Sequence, residues 1–195
     1  MPRGFRGVSQ IVVGSARRVL LEHTSTREAL HRIVRLGYGR AKRARELIRG
    51  LRRMRGIDVP VKRFTATTRT AEDAAKQIGT EVERIVKSLV FVSAGGPVVV
   101  LCSGRARVDE KLLAIALGGS NVRRATADEA KTLTGYAIGG VPPFAHEPRC
   151  RVIADEGLLG FDEVWAAAGL PDAVFRIAPR ELVRIADAEI ARVAG

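Results

Sequence analysis

The chain has 195 residues, 46% hydrophobic and 28% charged, a length that fits one compact domain with an extension better than two full domains. Its net charge of +12 is concentrated in the first third: residues 1–63 carry 17 Lys or Arg against 4 Asp or Glu, and residues 64–195 carry 16 against 17. That asymmetry calls for a polyanionic partner, nucleic acid or an anionic membrane surface, or for a solvated arm, while two cysteines without CxxC or metal-ligand spacing exclude a stapled scaffold and point to a reducing compartment, the cytoplasm.

Residues 1–40 carry weak helical periodicity between glycines and form a basic N-terminal extension, helical or disordered, with no secretory-signal pattern. From Ala41 the pattern sharpens. In "AKRARELIRGLRRMRG", Ala44, Leu47, Ile48, Leu51 and Met54 form an apolar helical stripe, and Arg45, Arg49, Arg52 and Arg53 fall on the opposite side, facing solvent or phosphate. Ile57, Val59 and Val61 alternate as a strand, and Pro60 favours an edge position. Thr70 is an N-cap with Asp73 three residues on, and Gly79 closes that helix.

Between Ser88 and Gly104 there is no charged residue, but Gly95-Gly96-Pro97 divides the run into β-branched halves. It reads as a hairpin of two buried strands rather than a membrane span, which needs about 20 continuous apolar residues. Asp109 opens a helix in "VDEKLLAIALGG", and Thr126 with Glu129 makes a capping box for "ADEAKTLTG". "RVIAD" and "DAVFRIA" read as strands. "FDEVWAAAG" reads as a short helix, and "PRELVRIADAEIARVA" as a closing amphipathic helix with Pro179 in its first turn. The order predicts a single mixed α/β (α+β) domain without a clean βαβ repeat.

The usual enzyme signatures are missing: there is no G-x-S-x-G elbow, no phosphate-binding GxxxxGK[ST], and no second histidine four residues after His146. Two features stand out instead. Lys87 sits in an apolar strand, Ile85, Lys87, Leu89 and Phe91 sharing one face and Val86, Ser88, Val90 and Val92 the other. Such a lysine snorkels to an edge, pairs with a carboxylate, or waits for an anion. The loop "TGYAIGGVPPFAHE" joins two permissive glycines, Gly139 and Gly140, to two rigid prolines, Pro142 and Pro143, which suits either a cradle of backbone N–H groups or a tight turn between strands.

The segments "TAEDAA", "IVKSLVF", "RVDEKLLA" and "TGYAIGGVPPFAH", in this order and spacing, resemble the YbaK/ProX family of free-standing aminoacyl-tRNA deacylases, related to the editing domain of bacterial prolyl-tRNA synthetases. The likeness runs from about Ala41 to Gly195, so the expected division is an extension at 1–40 and an editing domain at 41–195. The resemblance implies a central mixed, barrel-like sheet flanked by helices, and hydrolysis of the ester of a mischarged tRNA, prolyl tRNA with a small wrong amino acid, without metal or cofactor. It implies that Lys87 engages the substrate's 3' end and that Gly139 and Gly140 hold the aminoacyl carbonyl through backbone amides, the amine and the loop facing one hollow. Ser88, Val141, Pro142, Pro143, Phe144 and His146 are then substrate-binding residues, and Arg45, Arg49, Arg52 and Arg53 meet the tRNA. Ala145 stands where many relatives carry glycine, which argues against chemistry by His146. Prolyl-tRNA synthetase is a further implied partner, and a non-catalytic tRNA-binding module of the same fold is the alternative.

Overall fold

The computed structural model describes Val59, residues 61–64 and residues 70–195. The arginine-faced segment around residues 41–56, and the extension before it, lie outside the described residues. Local signals work well in the first half. Thr70 accepts from the Asp73 N–H at 3.1 Å and Gly79 closes helix α1 (Ala71–Ile78) in the left-handed region at φ 81°. Asp109 caps α2 (Glu110–Ala116), and Thr126 with Glu129 completes a reciprocal capping box on α3 (Ala127–Thr134). Each cap satisfies N–H groups that the first helical turn leaves without partners.

The uncharged run forms the hairpin of β2 (Val86–Ser93) and β3 (Gly96–Ser103), paired antiparallel from Val86 with Ser103 to Ser93 with Gly96. It is the centre of a five-stranded mixed sheet. β4 (Val122–Arg124) lies on one flank of the hairpin, with β5 (Arg151–Asp155) and β8 (Glu189–Ala191) on the other, both joined in parallel. A second, antiparallel sheet has the order β1-β7-β6, from β1 (Val61–Arg63), β6 (Val164–Leu170) and β7 (Ala173–Ile177). β1 is its edge strand, as Pro60 suggests.

The sheets pack face to face. Val86, Val90, Val99 and Leu101 from the larger sheet meet Val164, Ala166, Ala168 and Phe175 from the smaller in one buried cluster. On the far side of the larger sheet, Phe91, Val98, Val100 and Ile153 are covered by Leu113 and Leu117. The expected barrel does not close. β6 runs close to β2 but bridges the chain only just before it, in parallel between Ile85 and Trp165, and β4 pairs with β2 only from Phe91 onward, so the strand ladder is interrupted between those two points.

Two further expectations are corrected. "FDEVWAAAG" holds strand β6 rather than a helix. Its alanines favour a helix in isolation, but Val164, Ala166 and Ala168 alternate onto the buried cluster, and pairing with β7 supplies the backbone partners. The pairing breaks its register between Ala167 and Leu170, with Gly169 at φ 87° between them, a glycine at a strand irregularity. The closing helix, α4 (Pro179–Ala186), is half the expected length. Asp187 turns left-handed at φ 52°, and the chain leaves as β8, giving partners to the backbone edge of β5. No helix among the described residues is long and apolar enough to cross a membrane.

Candidate active site

The alternation of β2 divides the expected site between two faces. Val86 and Val90 point into the cluster that holds Val141 and Phe144, so Ser88, between them, faces the same way. Lys87 is on the other face with Leu89, opposite Cys102 in the hairpin register. The half-buried Lys87 donates from Nζ to the Ala106 carbonyl at 2.5 Å, and among the described residues it has no ion pair. Arg105 and Arg107, both exposed, flank Ala106. Arg105 is held by Glu83 at 2.6 Å, and Arg107 is fixed through its backbone by reciprocal bonds with Gly195 at 2.9 and 3.1 Å.

The glycine-proline loop is braced at both ends. Thr134, buried at the end of α3, donates to the Ala130 carbonyl at 2.7 Å and accepts from the Tyr136 N–H at 3.1 Å; the Tyr136 hydroxyl crosses to the Ala145 carbonyl at 3.1 Å. Gly139, at φ 84°, is the third residue of a turn closed by the Gly140 N–H on the Ala137 carbonyl at 3.0 Å, a geometry that favours glycine. Gly140 has a different constraint: a Cβ there would lie 3.0 Å from the Leu170 carbonyl carbon and 3.1 Å from Pro171 Cδ. The turn between β6 and β7 therefore presses directly on the loop. Phe144 anchors the far side against Phe175, ring centroids 5.8 Å apart and tilted by 49°.

Only some of the loop's amides are available to a ligand. The Gly140 N–H is used within the turn, and Pro142 and Pro143 have none. The N–H groups of Gly139 and Val141 donate to no acceptor among the described residues. The side chain of Val141 is buried in the core, so what this expected substrate-binding residue offers is its main chain.

His146 is buried and its Nε2 lies 2.7 Å from the Pro142 carbonyl, so the neutral ring donates and holds the loop's shape. Burial lowers its pKa to about 4, against the opposing effect of the Pro142 carbonyl. The preceding Ala145 adopts φ 66°, the left-handed conformation that glycine would enter without strain. The depressed value gives a pH signature. Above the ordinary histidine pKa of 6.5 both folded and unfolded chains are neutral. As pH falls toward 4 the unfolded chain takes up a proton that the folded chain refuses, so stability declines, by about 2 kcal/mol at about pH 5. Urea midpoints near pH 7 and pH 5 will show a larger acid loss in the wild type than in His146→Gln; equal losses would refute the buried neutral ring.

Neither cysteine is a nucleophile at neutral pH. Burial raises the Cys102 thiol to about 11, with Lys87 partly offsetting it, and burial alone raises Cys150 to about 12. The sequence reading missed Asp155. Its buried carboxylate accepts from the Gly157 N–H at 3.0 Å, the Val193 N–H at 3.0 Å and the Ala194 N–H at 2.9 Å. It thereby secures the segment that binds Arg107 and the Asp109 N–H, beside the carbonyl that receives Lys87. The one available signal was an acid closing an apolar strand.

Comparison with known proteins places these features in a family. A model of the aminoacyl-tRNA editing domain matches residues 65–185. A Bacillus subtilis protein of uncharacterized function, YwhH, is 35% identical over 125 residues, 63% of this chain and 78% of that protein. An Enterococcus faecalis protein named for Cys-tRNA(Pro)/Cys-tRNA(Cys) deacylation, EbsC, is 28% identical over 125 residues, 64% of this chain and 76% of that one. A crystal structure named for a trans-editing enzyme of prolyl tRNA synthetase superposes with a TM-score of 0.71 at 40% identity, over 82% of this chain and 99% of its own.

Proposed function

The chain belongs to the aminoacyl-tRNA editing domain family, and from that premise we propose that it is a trans-editing deacylase, cutting the ester of a mischarged prolyl tRNA that carries a small wrong amino acid. A binding pocket separates amino acids that differ by one methylene by only about 1–3 kcal/mol, so a synthetase making errors of that size needs a separate hydrolase.

The observation that carries the reading is the interrupted strand pairing along β2, with Lys87 on one face and the cluster that holds the braced loop on the other. An aminoacylated 3' end crossing the strand there sets its amino acid toward Ser88, Pro143 and Phe144. Its terminal phosphate then meets the Lys87 ammonium, released from Ala106, with Arg107 beside it. Water adds through its oxygen to the ester carbonyl carbon. The bond to the ribose oxygen breaks, that oxygen takes a proton, and the products are the free amino acid and the tRNA's 3' hydroxyl. The N–H groups of Gly139 and Val141 are the donors for the negative charge that develops on the carbonyl oxygen, preorganised by the turn and by Pro142 and Pro143. Gly140 contributes by its lack of a side chain, and His146 by holding the Pro142 carbonyl.

Arg45, Arg49, Arg52 and Arg53 add sequence-independent attraction to the acceptor stem. Prolyl-tRNA synthetase supplies the substrate and the cytoplasm is the site of action. The test is release of labelled amino acid from a panel of mischarged prolyl tRNAs by the purified protein. Release above the spontaneous rate is expected. Salt-sensitive tRNA binding without release would replace this reading with that of a binding module.

A further inference from the structure

Ser88 is anomalous within β2. Its Oγ is buried with no hydrogen-bond partner, and it is the sole buried side-chain nitrogen or oxygen of this kind among the described residues. A hydroxyl in that condition lowers stability, and folded proteins keep few of them. Burial is also interrupted there: Val86 and Val90 on the same face are buried, but Ser88 between them is half-exposed. The cover of the core is therefore open beside the hydroxyl.

The backbone register adds a second observation. The Val90 carbonyl points away from β3, accepting from the Ala125 N–H at 2.9 Å. By the two-residue period of a strand, the N–H and C=O of Ser88 point to the same outer edge. Neither β4, whose pairing starts at Phe91, nor β6, which bridges only Ile85, pairs with Ser88 there. Polar groups thus collect at one place on β2, and the residues that flank it on the same face, Val86 and Val90, belong to the apolar cluster that also holds Val141 and Phe144.

We propose that Ser88 reads the side-chain hydroxyl of a small hydroxylated amino acid, making seryl or threonyl esters the preferred substrates over alanyl ones; this rests on the deacylase reading above. The choice follows from the chemistry around Ser88. A lone neutral hydroxyl in an apolar wall cannot replace the hydration of an ammonium, so the substrate's α-amino group is a poor partner for it. A neutral hydroxyl loses far less hydration and fills the one vacant hydrogen bond. A methyl group leaves it unmade.

The test uses adenosine carrying a seryl, threonyl or alanyl group through a non-hydrolysable 3' amide, with binding measured by calorimetry, beside deacylation of seryl- and alanyl-tRNA. The wild type is expected to favour hydroxylated over alanyl forms about tenfold, the weight of one neutral hydrogen bond. Ser88→Ala is expected to abolish that preference and to keep or raise the melting temperature, since its hydroxyl has no protein partner to lose. Deacylation that ignores both the side-chain hydroxyl and Ser88→Ala overturns this inference and leaves the deacylase reading standing. Hydroxyl-selective binding without deacylation does the reverse. A lower melting temperature for Ser88→Ala assigns the hydroxyl to the fold and overturns it, and failure of every analogue to bind overturns both.

Discussion

Lys87→Ala is expected to lower kcat/KM for deacylation by about 100-fold or more, the loss of one cationic contact to the substrate's phosphate and to charge that grows near the ester. The wild-type fold prepares this contact at low cost. The ammonium has no ion pair among the described residues and is parked on one neutral carbonyl, Ala106, at 2.5 Å, so moving to an anion exchanges a weak partner for a stronger one. Because Lys87 acts from the face opposite Val141, its removal leaves the loop and its N–H groups in place, and the defect falls on recognition of the 3' end. Lys87→Arg keeps the charge on a wider, flatter head and is expected to recover part of the binding but not the full rate. Circular dichroism of Lys87→Ala should stay native, because the core face of β2 is untouched. A deacylation rate indifferent to Lys87→Ala would remove the physical basis for the proposed reaction.

Asp155→Ala is expected to destabilise the protein by about 3 kcal/mol, the cost of taking the charged acceptor from three amides at once, one of them, Val193, buried. For a chain of this size that corresponds to a fall in melting temperature of roughly 10 °C. The Gly157, Val193 and Ala194 amides all lose their acceptor at once, and the last two belong to the segment that binds Arg107 and Asp109. The loop carrying Ala106 therefore loosens, and activity should fall before global unfolding as temperature is raised. Asp155→Asn retains one carbonyl oxygen and is expected to lose less than half as much. A melting temperature for Asp155→Ala within about 2 °C of wild type would show that water replaces the carboxylate and that the staple is weak.

What the sequence determined by itself is local. The caps at Thr70, Asp109 and Thr126, the left-handed glycine at Gly79, the hairpin around Gly95-Gly96-Pro97 and the turn at Gly139 follow from interactions spanning a few residues, and each is present. The family resemblance was legible for a similar reason: the lysine strand and the glycine-proline loop are short motifs in a set order. Tertiary structure decided what depends on a distant partner. An alanine-rich segment became β6 because β7 offers a hydrogen-bonding edge and the core needs small side chains there. The closing helix stopped at Ala186 because β5 had an edge to complete. Separating Lys87 from the loop, leaving Ser88 at a gap and burying Asp155 under residues 193–194 are likewise outcomes of packing. Backbone propensity acts through neighbours in the chain, whereas side-chain environment is set by elements distant in the chain, and no short window of sequence contains them.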